Sequence, residues 1–208
     1  MKKLITLFAV ITLFWVNNAF SQGWTTQTTG LAGSVNLSSV HFISATTGLA
    51  VGSGGSIIKT TNGGTNWVTK TSLTANALTS VKFIDANNAI AVGQFGIILY
   101  STNAGETWNN QTTGTNLTGV FFPSATVGYA CGSTGTVLKS TNAGVNWSAL
   151  TTGSTVNFTG INFTSVTEGY VVGANGTVLK TTNGGTNWIT LTSGTTNALT
   201  SANFVSTN

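Results

Sequence analysis

TTNGGTNW at Thr60–Trp67, STNAGETW at Ser101–Trp108, STNAGVNW at Ser140–Trp147 and TTNGGTNW at Thr181–Trp188 are near copies of one eight-residue stretch. Their tryptophans stand 41, 39 and 41 residues apart. A constant period near 40 marks one supersecondary unit copied along the chain, so the fold is an array.

The segments between the copies align with one another. A first strand reads LSSVHFI (Leu37–Ile43), LTSVKFI (Leu78–Ile84), LTGVFFP (Leu117–Pro123) and FTGINFT (Phe158–Thr164). LTSANFV (Leu199–Val205) begins a fifth. A second strand reads GLAVG, AIAVG, GYACG and GYVVG, ending at Gly52, Gly93, Gly132 and Gly173. After a glycine-rich turn, a third reads SIIKTT, IILYST, TVLKST and TVLKTT. A fourth begins near each tryptophan. These short runs of β-branched and aromatic residues, bounded by Gly, Asn and Ser, suit pleated strands and oppose helix. Four strands in about 40 residues is the size of one propeller blade. The sequence therefore predicts an all-β, β-propeller-type array of four-stranded blades. The blades are expected at about 37–72, 78–113, 117–152 and 158–193, with a partial strand over 199–208. A β-helix with long coils is the rival architecture.

In the eight-residue turn, Asn62, Asn103, Asn142 and Asn183 are placed to fold their side-chain oxygens onto backbone N–H groups. Gly64, Gly105, Gly144 and Gly185 supply a positive φ. Trp67, Trp108, Trp147 and Trp188 then enter the sheet packing. Burying one indole removes roughly 150–250 Å², a gross upper value of roughly 4–6 kcal/mol. A side-chain cap contributes about 1 kcal/mol. The tryptophan is thus the expected anchor, and the asparagine shapes the turn.

S/T-x-N-x-G-x-x-W between strands three and four resembles the Asp-box, or BNR repeat. Together with V-x-F in strand one and GYxxG in strand two, it resembles the photosystem II stability/assembly-factor-like propeller family over residues 24–208. The resemblance implies a propeller with an assembly or scaffold role. All four boxes carry Asn where the family name implies Asp, which removes a charge that could hold a cation.

The ends carry their own signals. Lys2 and Lys3, the apolar run Leu4–Val16 and Ala19-Phe20-Ser21 form a secretory signal peptide over residues 1–21, with cleavage expected before Gln22. The run is shorter than the roughly 20 residues a membrane span needs, although an uncleaved anchor is the alternative. The expected location is secreted, periplasmic or cell-surface, without stable membrane insertion after cleavage. Residues 22–208 form the repeat domain. Trp24 opens WTTQTT, matching WVTKTS after Trp67, so the array is expected to begin with a lone fourth strand and end with a lone first strand. A fragment of a longer protein, or an open arc, would have that form.

Chemistry-bearing residues are few. Without Lys2 and Lys3, five lysines face three acids, a formal +2, and the chain has no arginine. Nucleic acid is not an expected partner. His41, the single histidine, aligns with Lys82, Phe121, Asn162 and Asn203, so its slot is a solvated or lining one. Cys131 aligns with Val51, Val92 and Val172 and reads as core. Asp85, Glu106 and Glu168 fall in turns of one rim and read as solvated. Lys59, Lys139 and Lys180 recur at the end of strand three, with Tyr100 in the second copy, and suggest at most a weak basic ring. Phosphate-loop and metal-ligand patterns are absent. No catalytic, cofactor or metal residue is assigned and no cofactor is expected.

The expected function is an exported, non-enzymatic interaction or scaffold module that binds a protein or a glycan. One alternative is part of a carbohydrate-active, sialidase- or glycosidase-like Asp-box enzyme whose catalytic residues lie outside this chain. The other is a cell-surface adhesin segment.

Overall fold

The computed structural model describes residues 26–31 and 34–204. The leader over 1–21, Trp24 and residues 205–208 lie outside the described residues. The first blade is β1 (Leu37–Phe42), β2 (Gly48–Gly52), β3 (Ile57–Thr60) and β4 (Val68–Lys70). The second is β5 (Leu78–Phe83), β6 (Ala89–Gly93), β7 (Ile97–Ser101) and β8 (Asn109–Thr112). The third is β9 (Leu117–Phe121), β10 (Gly128–Gly132), β11 (Val137–Ser140) and β12 (Ser148–Leu150). The fourth is β13 (Phe158–Phe163), β14 (Gly169–Gly173), β15 (Val178–Thr181) and β16 (Ile189–Leu191).

Each blade is a separate antiparallel meander with strands in chain order, which makes the array an incomplete β-propeller and sets the coiled β-helix aside. The fourth strand starts one residue after each tryptophan. Residues 199–204 form no strand, against the expected partial strand. They still lie beside β13 and β14: Leu199 N–H donates to Gly173 O at 3.0 Å and Phe204 N–H to Asn162 Oδ1 at 3.3 Å.

Three apolar clusters hold the blades together. Leu49, Val51 and Ile57 of the first blade meet Val81, Phe83 and Trp108 of the second. Ile90, Val92 and Ile98 of the second meet Val120 and Leu138 of the third. Tyr129, Cys131 and Val137 of the third meet Ile161, Phe163 and Leu179 of the fourth. One face of every blade therefore receives the opposite face of the next. Cys131 is wholly buried, and burial pushes its thiol up to about 12.

The indoles divide into two environments. Trp108 is 4% exposed, whereas Trp67, Trp147 and Trp188 are half-buried. Those three meet a phenylalanine of their own blade edge to face: Phe42, Phe122 and Phe163, at 5.9, 5.9 and 6.4 Å between centroids. The phenyl reaches the indole by lying across the first residue of strand two. A Cβ there would stand 2.7, 2.3 and 2.4 Å from the ring at Gly48, Gly128 and Gly169. The second blade has Ala89 in that slot.

Candidate functional site

Each first strand carries a bulge at its second residue, between Leu78 and Ser80 and between Phe158 and Gly160, for example. The extra residue is left out of the ladder and re-aimed. The Thr79 hydroxyl lies 3.0 Å from Val92 O of its own blade and 2.7 Å from Leu117 O of the next. Thr118 repeats this with Cys131 O at 3.2 Å and Phe158 O at 2.8 Å. Thr159 faces Val172 O at 3.2 Å and also Leu199 O. One proton shared between two carbonyls ties neighbouring first strands without a backbone ladder.

Those strands line a groove of about 400 Å³. Its walls include Ser39, Ser80, Lys82, Asn162 and Asn203, with Gly119 and Gly160 of the first strands between them. Much of the polar wall is already engaged. Val81 N–H donates to Ser39 Oγ at 3.2 Å, and Phe83 N–H donates to His41 Nδ1 at 3.1 Å. His41 therefore serves as an acceptor in its neutral form. Burial, and then the charge of Lys82, lower its pKa. Burial also lowers the pKa of Lys82, the one cation among the residues that line the groove. Of the slot expected to be solvated or lining, Lys82, Phe121, Asn162 and Asn203 line the groove; His41 is half-buried beside it.

On the rim carrying the eight-residue turns, the Ser or Thr two positions before each asparagine of Asn-x-Gly does more than the sequence indicates. Ser140 Oγ accepts from Gly144 N–H at 2.9 Å and Asn142 N–H at 3.3 Å, and donates to Asn142 Oδ1 at 3.1 Å. Asn142 Oδ1 then accepts Asn146 N–H at 2.9 Å. Thr60, Ser101 and Thr181 repeat the hydroxyl's role, and Asn62, Asn103 and Asn183 receive Asn66, Thr107 and Asn187 N–H. Gly64, Gly105, Gly144 and Gly185 have φ of 91°, 81°, 85° and 87°. The turn also leans on the strand one–two turn of its blade: Gly63 N–H reaches Thr46 O at 2.8 Å, Ala143 N–H reaches Thr126 O at 2.9 Å. Both turns thus share a rim. The invariant Ser/Thr at strand-three ends was the available signal for this hydroxyl.

Glu106 is solvated, as expected, and its oxygens also take Lys59 Nζ at 2.7 Å and Lys70 Nζ at 2.6 Å from the preceding blade. One expectation needs correction: the recurring lysines form no basic ring. Lys59 is 7% exposed and tied to Glu106, Lys139 donates to Gly184 O of the next blade at 2.9 Å, and Lys180 pairs with Glu168 at 2.8 Å. The sequence alignment showed the slot but not the partner, because the partner belongs to another copy or another turn.

The three acids are held ionised. The Asn88 side chain and the Asn87 and Asn88 N–H groups depress the pKa of Asp85. Lys59 and then Lys70 do so for Glu106, and Lys180 for Glu168. A glycosidic general acid needs the opposite shift. Among the described residues no group of three acidic, cysteine or histidine side chains is arranged to hold a metal ion.

The family profile of the photosynthesis system II assembly factor YCF48 matches residues 16–155. No curated protein matches the chain. Among solved structures, YCF48 from Cyanidioschyzon merolae is 18% identical, with a TM-score of 0.67 over 84% of this chain and 61% of that one. A YCF48 bound to D1 peptide is 20% identical, with a TM-score of 0.62 over 75% and 53%. An ancestral GH74 enzyme is 21% identical, with a TM-score of 0.65 over 78% of this chain and 25% of the enzyme. The chain thus spans a little over half the length of the similar YCF48 structures. At these identities the structural likeness concerns the fold.

Proposed function

The chain belongs to the family of the photosynthesis system II assembly factor YCF48, and from that premise we propose that it is an exported, non-catalytic interaction module whose groove along the first strands receives a polypeptide segment. The groove itself carries this reading. It joins the strand glycines Gly119 and Gly160, small hydroxyl and amide groups, and one ammonium, Lys82. Backbone and amide groups recognise an extended peptide by hydrogen bonding, and an ammonium favours an acidic group on it. The peptide complex of one structural relative supports a protein partner. Photosystem assembly is not carried over, because a chain without arginine lacks bidentate anion recognition. Export rests on Lys2, Lys3 and the apolar run after them.

Likeness to GH74 enzymes keeps hydrolysis as the contrasting reading, and the ionised, engaged state of Asp85, Glu106 and Glu168 speaks against it in this chain. The test is fluorescence polarisation of the purified chain with a library of short labelled peptides, alongside a reducing-sugar assay on xyloglucan. Peptides rich in Asp and Glu should bind, and Lys82→Ala should weaken them several-fold. Indifference of every bound peptide to Lys82→Ala, or release of sugar by the chain, would overturn the reading.

A further inference from the structure

The first blade presents to solvent the face that its successors bury. Val40 is 59% exposed, while its counterparts Val81, Val120 and Ile161 are 1%, 3% and 7% exposed. Leu37 is 41% exposed, against zero for Leu78, Leu117 and Phe158. Phe42 and Ile43 are also exposed. Leu37, Val40, Ala50, Ile58 and Trp67 wall an apolar cavity of about 380 Å³ on this face, with Gln27 and Thr29 at its side. A contiguous patch of this kind marks a protein contact.

The molecule shows three times what covers such a face. Each time it is the opposite face of the preceding blade, built from the second and third strands: Leu49, Val51 and Ile57, or Tyr129, Cys131 and Val137. The fourth blade carries the same face at Tyr170, Val172 and Val178, with Leu191 exposed beside it. That face is only partly covered, by residues 199–204. Phe204 stacks on Tyr170 at 3.9 Å, as Phe163 stacks on Tyr129 at 3.7 Å. The covering segment reads LTSANF and β1 reads LSSVHF, the same pattern with Ser38, Val40 and His41 in place of Thr200, Ala202 and Asn203.

We propose that the chain associates head to tail: the open face of the first blade docks on the fourth blade of a second copy. In that contact β1 takes the place of residues 199–204. Phe42 stacks on Tyr170 of the second copy, and Val40 seats against its Val172 and Val178. Leu191 of the second copy comes to Gly64, as Leu150 comes to Gly185 inside the chain. The exchange favours β1 because β1 already has its ladder with β2, whereas residues 199–204 have none. The interface is heterologous, so it leaves a free face at each end of a dimer and extends to larger assemblies or closes into a ring. The contact adjoins the groove, whose wall includes Ser39 of β1 and Asn203 of the displaced segment; Lys82→Ala, which weakens peptide binding, should leave the association unchanged, so the two readings fail separately.

Sedimentation velocity of the purified chain from low-micromolar to submillimolar concentration tests the proposal. The wild type should gain mass with concentration. Val40→Asp removes one half of the contact and Leu191→Asp the other, and each variant alone should stay monomeric. Their equimolar mixture should form a dimer that grows no further, since one intact half remains on each. Both side chains are exposed in the single chain, and near-ultraviolet circular dichroism checks each fold, with Val40→Lys as the second head variant. A monomeric wild type, assembly that survives Val40→Asp or Leu191→Asp, or a mixture that stays monomeric would each overturn it.

Discussion

Lys59 Nζ and Glu106 Oε1 meet at 2.7 Å across the boundary between the first two blades. They lie 47 residues apart in the chain, and the lysine amine enters from a side chain that is 7% exposed. Lys70 takes the other oxygen of the same carboxylate at 2.6 Å. One acid thus clamps two cations of the blade before it. Glu106→Gln should lower stability at neutral pH by about 1 kcal/mol or less, because the carboxylate is half exposed and screened. The pH dependence is the sharper sign. The folded pKa of Glu106 lies below its ordinary 4.5, so its contribution is full above that value and is lost as pH falls through the folded pKa. Urea titrations from pH 7 to pH 3 should show a shallower acid loss in the variant than in the wild type.

The eight-residue turn has a hydroxyl at its centre. Ser140→Ala removes the acceptor of two backbone N–H groups and should cost about 1–2 kcal/mol. Asn142→Asp should be nearly neutral, within about 0.5 kcal/mol. Asn142 Oδ1 accepts from Ser140 Oγ and Asn146 N–H, and a carboxylate keeps both bonds. Chemical denaturation of the two variants measures the contrast; equal losses would remove the hydroxyl from its central role.

The four tryptophans should not be equivalent. Trp108 lies inside the cluster between the first two blades, and Trp108→Ala should cost about 3–5 kcal/mol. Trp67 lines the open face, and Trp67→Ala should cost roughly half as much, in line with its smaller buried area. Denaturation midpoints at one protein concentration give the comparison.

Phe95 has φ of 55° and is 63% exposed, in a turn where the other blades place Gly54, Thr134 and Asn175. A bulky side chain in the left-handed region costs about 1 kcal/mol, and asparagine enters it more readily. Phe95→Asn should raise stability by about 0.5–1 kcal/mol. A thermal melt reports the gain, and a lower melting temperature would contradict it.

The sequence determined the repeating unit and much of its interior. The 40-residue period, the strand composition and the alignment of Cys131 with three valines were enough for the blades and for a buried thiol. Such properties follow from local pattern, since strand composition and a constant period put equivalent residues at equivalent places in each copy. Tertiary structure alone decided what the recurring polar residues do. Lys59, Lys139 and Lys180 share a slot yet meet Glu106, Gly184 O and Glu168, because each partner sits on a different turn brought in by packing. It also separated Val40 from Val81, which hold the same place in the repeat, because burial of a blade face depends on which blade stands next to it.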